Sequence, residues 1–149
     1  MTHANRGDHA AARQALDRAH AALSQPAGRP APAWFQDGGT GNLAAATGHV
    51  LSRAGDHSGA REALTMALGQ LRPTARRQRV LLLVDLATIE LHLGDLPAAC
   101  SHTTDAALLL HHAAYATGAA RFRAFRAAAA PLNGKAFRAL DEHLSRIAA

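Results

Sequence analysis

The apolar positions of the chain recur at helical spacing, and one pattern of small and apolar residues occurs three times. Gly-Asp-x-x-x-Ala-x-x-x-Leu-x-x-Ala is found at residues 7–19 and 55–67, and again at residues 94–106 with Thr103 in place of leucine. Residues seven positions apart lie on the same face of a helix, so the two alanines of each copy share one face. Each copy therefore predicts a helix with a narrow packing face of small residues.

The glycine-aspartate pairs predict corners between helices. A glycine just past a helix end adopts the left-handed conformation that ends the helix, and aspartate is a favoured N-cap for the helix that follows. The small alanines then let the preceding helix approach closely. Each copy is therefore predicted to be the second helix of an antiparallel helix pair.

Apolar periodicity and helix-breaking residues set the other predicted boundaries. Thr74 is a candidate N-cap, and the helix that follows is apolar on nearly all sides from Val80 to Leu93, so it is predicted to be the most buried. The predicted elements of the single domain are a half repeat at residues 8–23, a Pro/Gly-rich linker at 24–41, and helix pairs at 42–71, 74–114 and 119–147.

The repeat resembles the tetratricopeptide repeat, whose second helix carries a small residue, a bulkier apolar residue four positions on and a small residue three further. The copies begin 48 and 39 residues apart, whereas that family repeats every 34 residues or so, and its tryptophan and tyrosine positions are not filled. The resemblance implies an all-α, tetratricopeptide-like stack of antiparallel helix pairs, with about seven helices in a right-handed solenoid.

Short segments resemble a narrower family. Residues 33–37, 76–87, 118–122 and 139–144 are similar to the C-terminal tetratricopeptide region of actinobacterial XRE-type helix-turn-helix transcriptional regulators. In that family the repeats follow a DNA-binding domain, which is not recognised here, and ligand sensing or assembly is ascribed to them. The resemblance implies a non-catalytic scaffold that binds a protein, a peptide or a small-molecule effector in transcription regulation.

Composition and charge indicate where the protein works and which partners are favoured. The 149 residues carry a formal net charge of +5 that comes almost wholly from arginine, with Lys135 the only lysine. Such a bias is typical of GC-rich bacterial genomes, so it is weak support for direct nucleic-acid binding. The single cysteine excludes an intramolecular disulfide, no signal peptide is visible, and Asp85 interrupts the longest apolar run. We expect a cytoplasmic protein without membrane partner or cofactor.

Two polar stripes on otherwise apolar helices are the candidate binding site. On the first helix of a tetratricopeptide-like pair this side lines the concave groove, so a ligand or partner groove is the functional interpretation. Solvated edge residues are the alternative, and the sequence does not decide between them. The groove residues are Asn42, His49 and Arg53 on one helix and Asp85, Thr88 and His92 on the next.

A basic cluster at the start of a predicted helix is the second candidate. Arg72, Arg76, Arg77 and Arg79 lie where the helix macrodipole already disfavours positive charge. An acidic partner would relieve the repulsion, and a solvated basic edge is the simpler alternative.

Catalysis and metal binding find little support in the sequence. Asp85 and His92 have no nucleophile at a suitable spacing. The adjacent His111 and His112 point in different directions around the helix, so they are not placed to bind one metal ion. The alternatives to a binding scaffold are a structural homodimerisation module and, less favoured, a small helical enzyme or nucleic-acid binder. Because residues 8–23 lack a partner helix in the sequence, we also expect a homo-oligomer in which this helix docks on a second copy.

Overall fold

The computed structural model of the chain describes residues 9–24, 39–111, 115–130, 138, 141–142 and 145, which form α-helices joined by short turns. No strand occurs in these ranges, so the predicted all-α class is confirmed. The first predicted corner at residues 7–8, most of the linker and most of the last predicted helix lie outside them. The helices are α1 His9–Ser24, α2 Gly39–Arg53, α3 His57–Gln70, α4 Arg76–Leu93, α5 Leu96–His111 and α6 Ala116–Ala129.

The helices belong to two compact units, an N-terminal unit of Met1–Leu71 and a C-terminal unit of Arg72–Ala149. In the N-terminal unit, α2 packs on both α1 and α3. In the C-terminal unit, α4 packs on α5, and α6 packs on both of them.

Each unit contains one helix pair that turns through a left-handed glycine. Gly55 follows α2 with φ +83° and Gly94 follows α4 with φ +79°. The residue after each glycine donates its backbone N–H to the carbonyl of Leu51 or Glu90, at 3.0 and 2.9 Å. Each bond reaches back five residues across the corner, as the 6→1 bond of a Schellman motif does. The two corners predicted at these positions are confirmed.

The aspartate of each corner caps the helix that follows. One carboxylate oxygen of Asp56 accepts a hydrogen bond from the backbone N–H of Gly59 at 3.0 Å. Asp95 accepts from the backbone N–H of Ala98 at the same distance. The caps satisfy N–H groups that have no partner inside the helix. The same device therefore starts α3 and α5.

The repeated small and apolar positions of α3 and α5 form the packing face, as the pattern predicts. Thr103 occupies the leucine position of the third copy and is nevertheless fully buried, because its hydroxyl donates to the carbonyl oxygen of Ala99 at 2.8 Å. The side chains with no exposed surface are Ala60, Leu64 and Ala67 on α3 and Ala99, Thr103 and Ala106 on α5.

Gly48 of α2 lies against Leu64 of α3, and a side chain at this glycine would not fit. A Cβ atom on this glycine would lie 2.5 Å from Cγ of Leu64, a buried side chain that cannot move aside. Gly69 on α3 is exposed, and a Cβ there would meet nothing within 4 Å.

We predict opposite effects of alanine at these two glycines. Gly48→Ala should lower the free energy of unfolding by about 1 kcal/mol. Overpacking costs about 1–3 kcal/mol, which exceeds the roughly 1 kcal/mol that alanine gains over glycine in helix propensity. Gly69→Ala should raise it by about 0.5–1 kcal/mol. Urea unfolding of both variants measures the difference. Stabilisation by both would show that α2 and α3 are not in close contact.

Helix α4 is the most buried of the described helices, as predicted. It does not begin after an N-cap at Thr74, however, and that prediction is wrong. Ala75 occupies the cap position and makes no side-chain cap bond. The backbone N–H groups of Ala75 and Arg76 instead donate to the carbonyls of Arg72 and Thr74, at 3.0 and 2.8 Å, which places Thr74 inside a turn. The buried residues of α4 are Val80, Leu82, Leu83, Val84, Leu86, Ala87, Ile89 and Glu90.

Two helices begin three residues before their predicted starts. Helix α2 begins at Gly39 instead of Asn42, and α6 begins at Ala116 instead of residue 119.

Helix α1 packs against its own chain. Ala12 is 5% exposed and, with Leu16, packs against Val50 of α2. The imidazole of His20 also lies 3.1 Å from the hydroxyl oxygen of Thr47 on α2. Part of the apolar face for which the sequence suggested a second copy, at Ala12 and Leu16, is therefore covered within the N-terminal unit. Homo-oligomerisation stays a prediction.

Candidate functional site

The first predicted stripe lies on one face of α2 in the N-terminal unit. Asn42 and Arg53 are exposed, and His49 between them is half-buried. The three residues are separated by seven and four positions, which keeps them on one side of the helix. The structure therefore brings these three residues together on a surface that water reaches.

The second predicted stripe lies on α4 in the C-terminal unit. His92 is exposed, whereas Asp85 and Thr88 are half-buried. The hydroxyl of Thr88 donates to the carbonyl oxygen of Val84 at 2.9 Å, one helical turn back. Assembly of this stripe and that of α2 into one groove stays a prediction.

Asp85 forms an ion pair with Arg121 of α6, a residue that the sequence did not single out. The Nη1 atom of Arg121 donates to both carboxylate oxygens, at 2.7 and 3.0 Å. The side chains remain 45% exposed for Arg121 and 21% exposed for Asp85. The contact joins α6 to α4 and gives Asp85 a structural role on this apolar helix.

We predict a small but measurable coupling between Asp85 and Arg121. Partly exposed ion pairs contribute about 0.2–1 kcal/mol, so Asp85→Asn and Arg121→Gln should each destabilise slightly, and the double variant should lose less than their sum. A double-mutant cycle by chemical unfolding measures the coupling. A coupling energy of zero would mean that the ion pair does not explain Asp85, and ligand binding would then be its remaining candidate role.

The predicted basic cluster lies at the start of the C-terminal unit. Arg72, Arg76 and Arg77 are exposed, and Arg79 is half-buried. The guanidinium carbon of Arg77 lies 5.6 Å from the centre of the Tyr115 ring, within the range of cation–π attraction. We call this surface, formed by the four arginines and Tyr115, the basic end.

The start of α6 is packed tightly against the basic end. A Cβ atom on Gly118 would lie 2.6 Å from Tyr115 and 3.0 Å from side-chain atoms of Val80 and Leu110. Only glycine allows the first turn of α6 to approach α4 and the end of α5 at this distance. The packing therefore holds Tyr115 beside the first turn of α4.

Cys100 and His111 are weaker candidates for a functional role. Cys100 is half-buried, and burial raises the pKa of its thiol, which lowers the thiolate fraction at neutral pH. His111 is exposed, and His112 lies outside the described residues. Among the described side chains no group of three or more metal-ligating residues is close enough to hold an ion.

Comparison with protein-family models, with curated proteins and with solved structures finds no match to the chain. None of the described helices is long and apolar enough to cross a membrane. The sequence did not identify Tyr115 as part of a site, and it did not link Arg121 to Asp85. Tyr115 is the only tyrosine of the chain, and that rarity is the signal in the sequence that points to it.

Proposed function

We propose that the two helix pairs, α2–α3 and α4–α5, are tetratricopeptide-like repeats and that the chain is a non-catalytic scaffold that binds a protein or peptide. In this proposal the scaffold works in the cytoplasm as the sensory or assembly part of a bacterial transcriptional regulator. Small-molecule effectors remain possible ligands of the same surfaces.

A single observation carries the proposal: the two pairs are built by the same device at the same sequence positions. Left-handed glycines at Gly55 and Gly94 are each followed by an aspartate that caps the next helix. The buried positions of α3 recur at the same spacing in α5. Repeats of this kind bury a face against a neighbour and leave the other helix face available for contacts, which is the usual architecture of a binding scaffold.

The polar stripes support binding more than catalysis. Asn42, Arg53 and His92 are exposed on the first helix of their pairs, where a peptide has access to them. Their side chains offer hydrogen-bond donors and acceptors that fix the orientation of an extended ligand.

Peptide display on the immobilised full chain tests the proposal. We expect the folded chain to enrich related peptides from a random library, and calorimetry should then show saturable binding of the enriched sequences. A variant that carries both Ala60→Leu and Leu64→Ala, which disrupts the packing face of α3, is the control. If no peptide binds the parent chain more tightly than this control, the scaffold proposal is wrong.

A further inference from the structure

The basic end is formed by chain segments that contain no acidic residue. The sequence has no aspartate or glutamate at residues 63–84 or 106–140, and these ranges include the start of α4, the end of α5 and all of α6. Four arginines occupy residues 72–79 within the first range. Positive charge is therefore concentrated here without carboxylates from the same segments.

The nearest carboxylate that follows along α4 is already engaged. Asp85 receives two hydrogen bonds from Arg121, so its charge is compensated by α6. Among the described residues, Arg76 and Arg79 make no ion pair with a carboxylate of the chain. Within the part of the chain that the structure describes, no carboxylate therefore offsets the positive charge of Arg76 and Arg79, and the helix macrodipole destabilises that charge further.

Arg77 is the arginine of the basic end that Tyr115 positions. Its guanidinium lies over the ring of Tyr115, and the close packing at Gly118 holds that ring in place. A guanidinium stacked on an aromatic ring keeps its outer N–H groups available for a carboxylate and loses less rotational freedom on binding. Tyr115 therefore prepares Arg77 for bidentate contact with an acid.

We propose that the basic end binds an acidic segment of a partner protein, with carboxylates of Glu or Asp on Arg76 and Arg77 and further charge contributed by Arg72 and Arg79. The proposal rests on the scaffold function above and names its partner chemistry. A peptide is favoured over nucleic acid by the size of the charge cluster. DNA-binding surfaces commonly contact about 6–10 phosphates, whereas these four arginines within eight positions match the few carboxylates of a short peptide.

Fluorescence anisotropy on the full chain tests the proposal with a short labelled peptide in which Glu alternates with Ala. The matched neutral peptide has Gln at each Glu position. We expect saturable binding of the acidic peptide alone, weaker at higher salt, and about tenfold weaker for the variant Arg76→Gln/Arg77→Gln because charge-assisted hydrogen bonds are lost. The control variant Arg13→Gln/Arg18→Gln removes the same charge from exposed arginines of α1, outside these segments, and should bind like the parent.

The single variant Arg76→Glu keeps Arg77 on Tyr115 and reverses one charge. It should fold like the parent by circular dichroism and lose binding of the acidic peptide. Equal loss in the control variant would mean that only net charge matters, and tighter binding of a single- or double-stranded oligonucleotide than of the peptide would assign the basic end to nucleic acid. Either result overturns the proposal.

The display experiment reports on the scaffold function separately. Enriched peptides that are neutral, and that bind the Arg76→Glu variant as well as the parent, would overturn the acidic-partner inference and leave the scaffold function supported. Enriched peptides with excess Glu and Asp, and with affinity lost in that variant, would support both.

Discussion

Leu64→Ala is expected to lower the free energy of unfolding of the N-terminal unit by about 2–5 kcal/mol, the usual range for a leucine removed from a packed core. Leu64 is fully buried, and its side chain fills the space opposite Gly48. The variant leaves a cavity where α3 meets α2. Guanidinium unfolding followed by circular dichroism measures the loss.

Met66 on the same helix provides the matched control. Its side chain is 61% exposed, so Met66→Ala should change stability by no more than about 0.5 kcal/mol. Similar losses of unfolding free energy in the two variants would mean that α3 does not bury Leu64 and expose Met66.

The second large effect is expected from leucine at the alanines of the packing face. Ala60 of α3 and Ala99 of α5 have no exposed surface. Each is packed between helices of its own unit. Ala60→Leu and Ala99→Leu should each destabilise by about 1–3 kcal/mol, because the added atoms force helices apart or side chains out of their rotamers. Thermal melts of each variant measure the effect.

Ala124 of α6 is exposed and is the control for those two alanines. Ala124→Leu should leave the melting temperature nearly unchanged, since an exposed leucine displaces nothing. Melting of both Ala60→Leu and Ala99→Leu at the parent temperature would contradict the alignment of the repeats.

Local patterns accounted for the corners and the packing face. A glycine followed by aspartate determines a helix end and a helix start within a few residues, so Gly55 and Gly94 were predictable from sequence alone. The helix face of Ala60, Leu64 and Ala67 follows from helical spacing. Thr74 was misassigned because threonine favours turns as well as N-caps, and the turn at residues 72–76 decides between them.

The chemistry of the candidate site was less predictable because it depends on contacts between distant residues. Asp85 and Arg121 are 36 positions apart, and no periodicity within α4 indicates that α6 supplies the counter-charge. The stacking of Arg77 on Tyr115 likewise depends on the path of the chain through α5 and α6. The sequence located the arginines correctly but not the aromatic ring that positions one of them.

The short corners at Gly55 and Gly94 also bear on how the protein forms. Each joins two helices whose packed residues are only a few tens of positions apart, so most contacts of a pair close short loops at a small entropic cost. Chains dominated by such local contacts fold in microseconds to milliseconds. Each helix pair is therefore expected to begin folding during synthesis, once its second helix has left the ribosome and before the rest of the chain has been made.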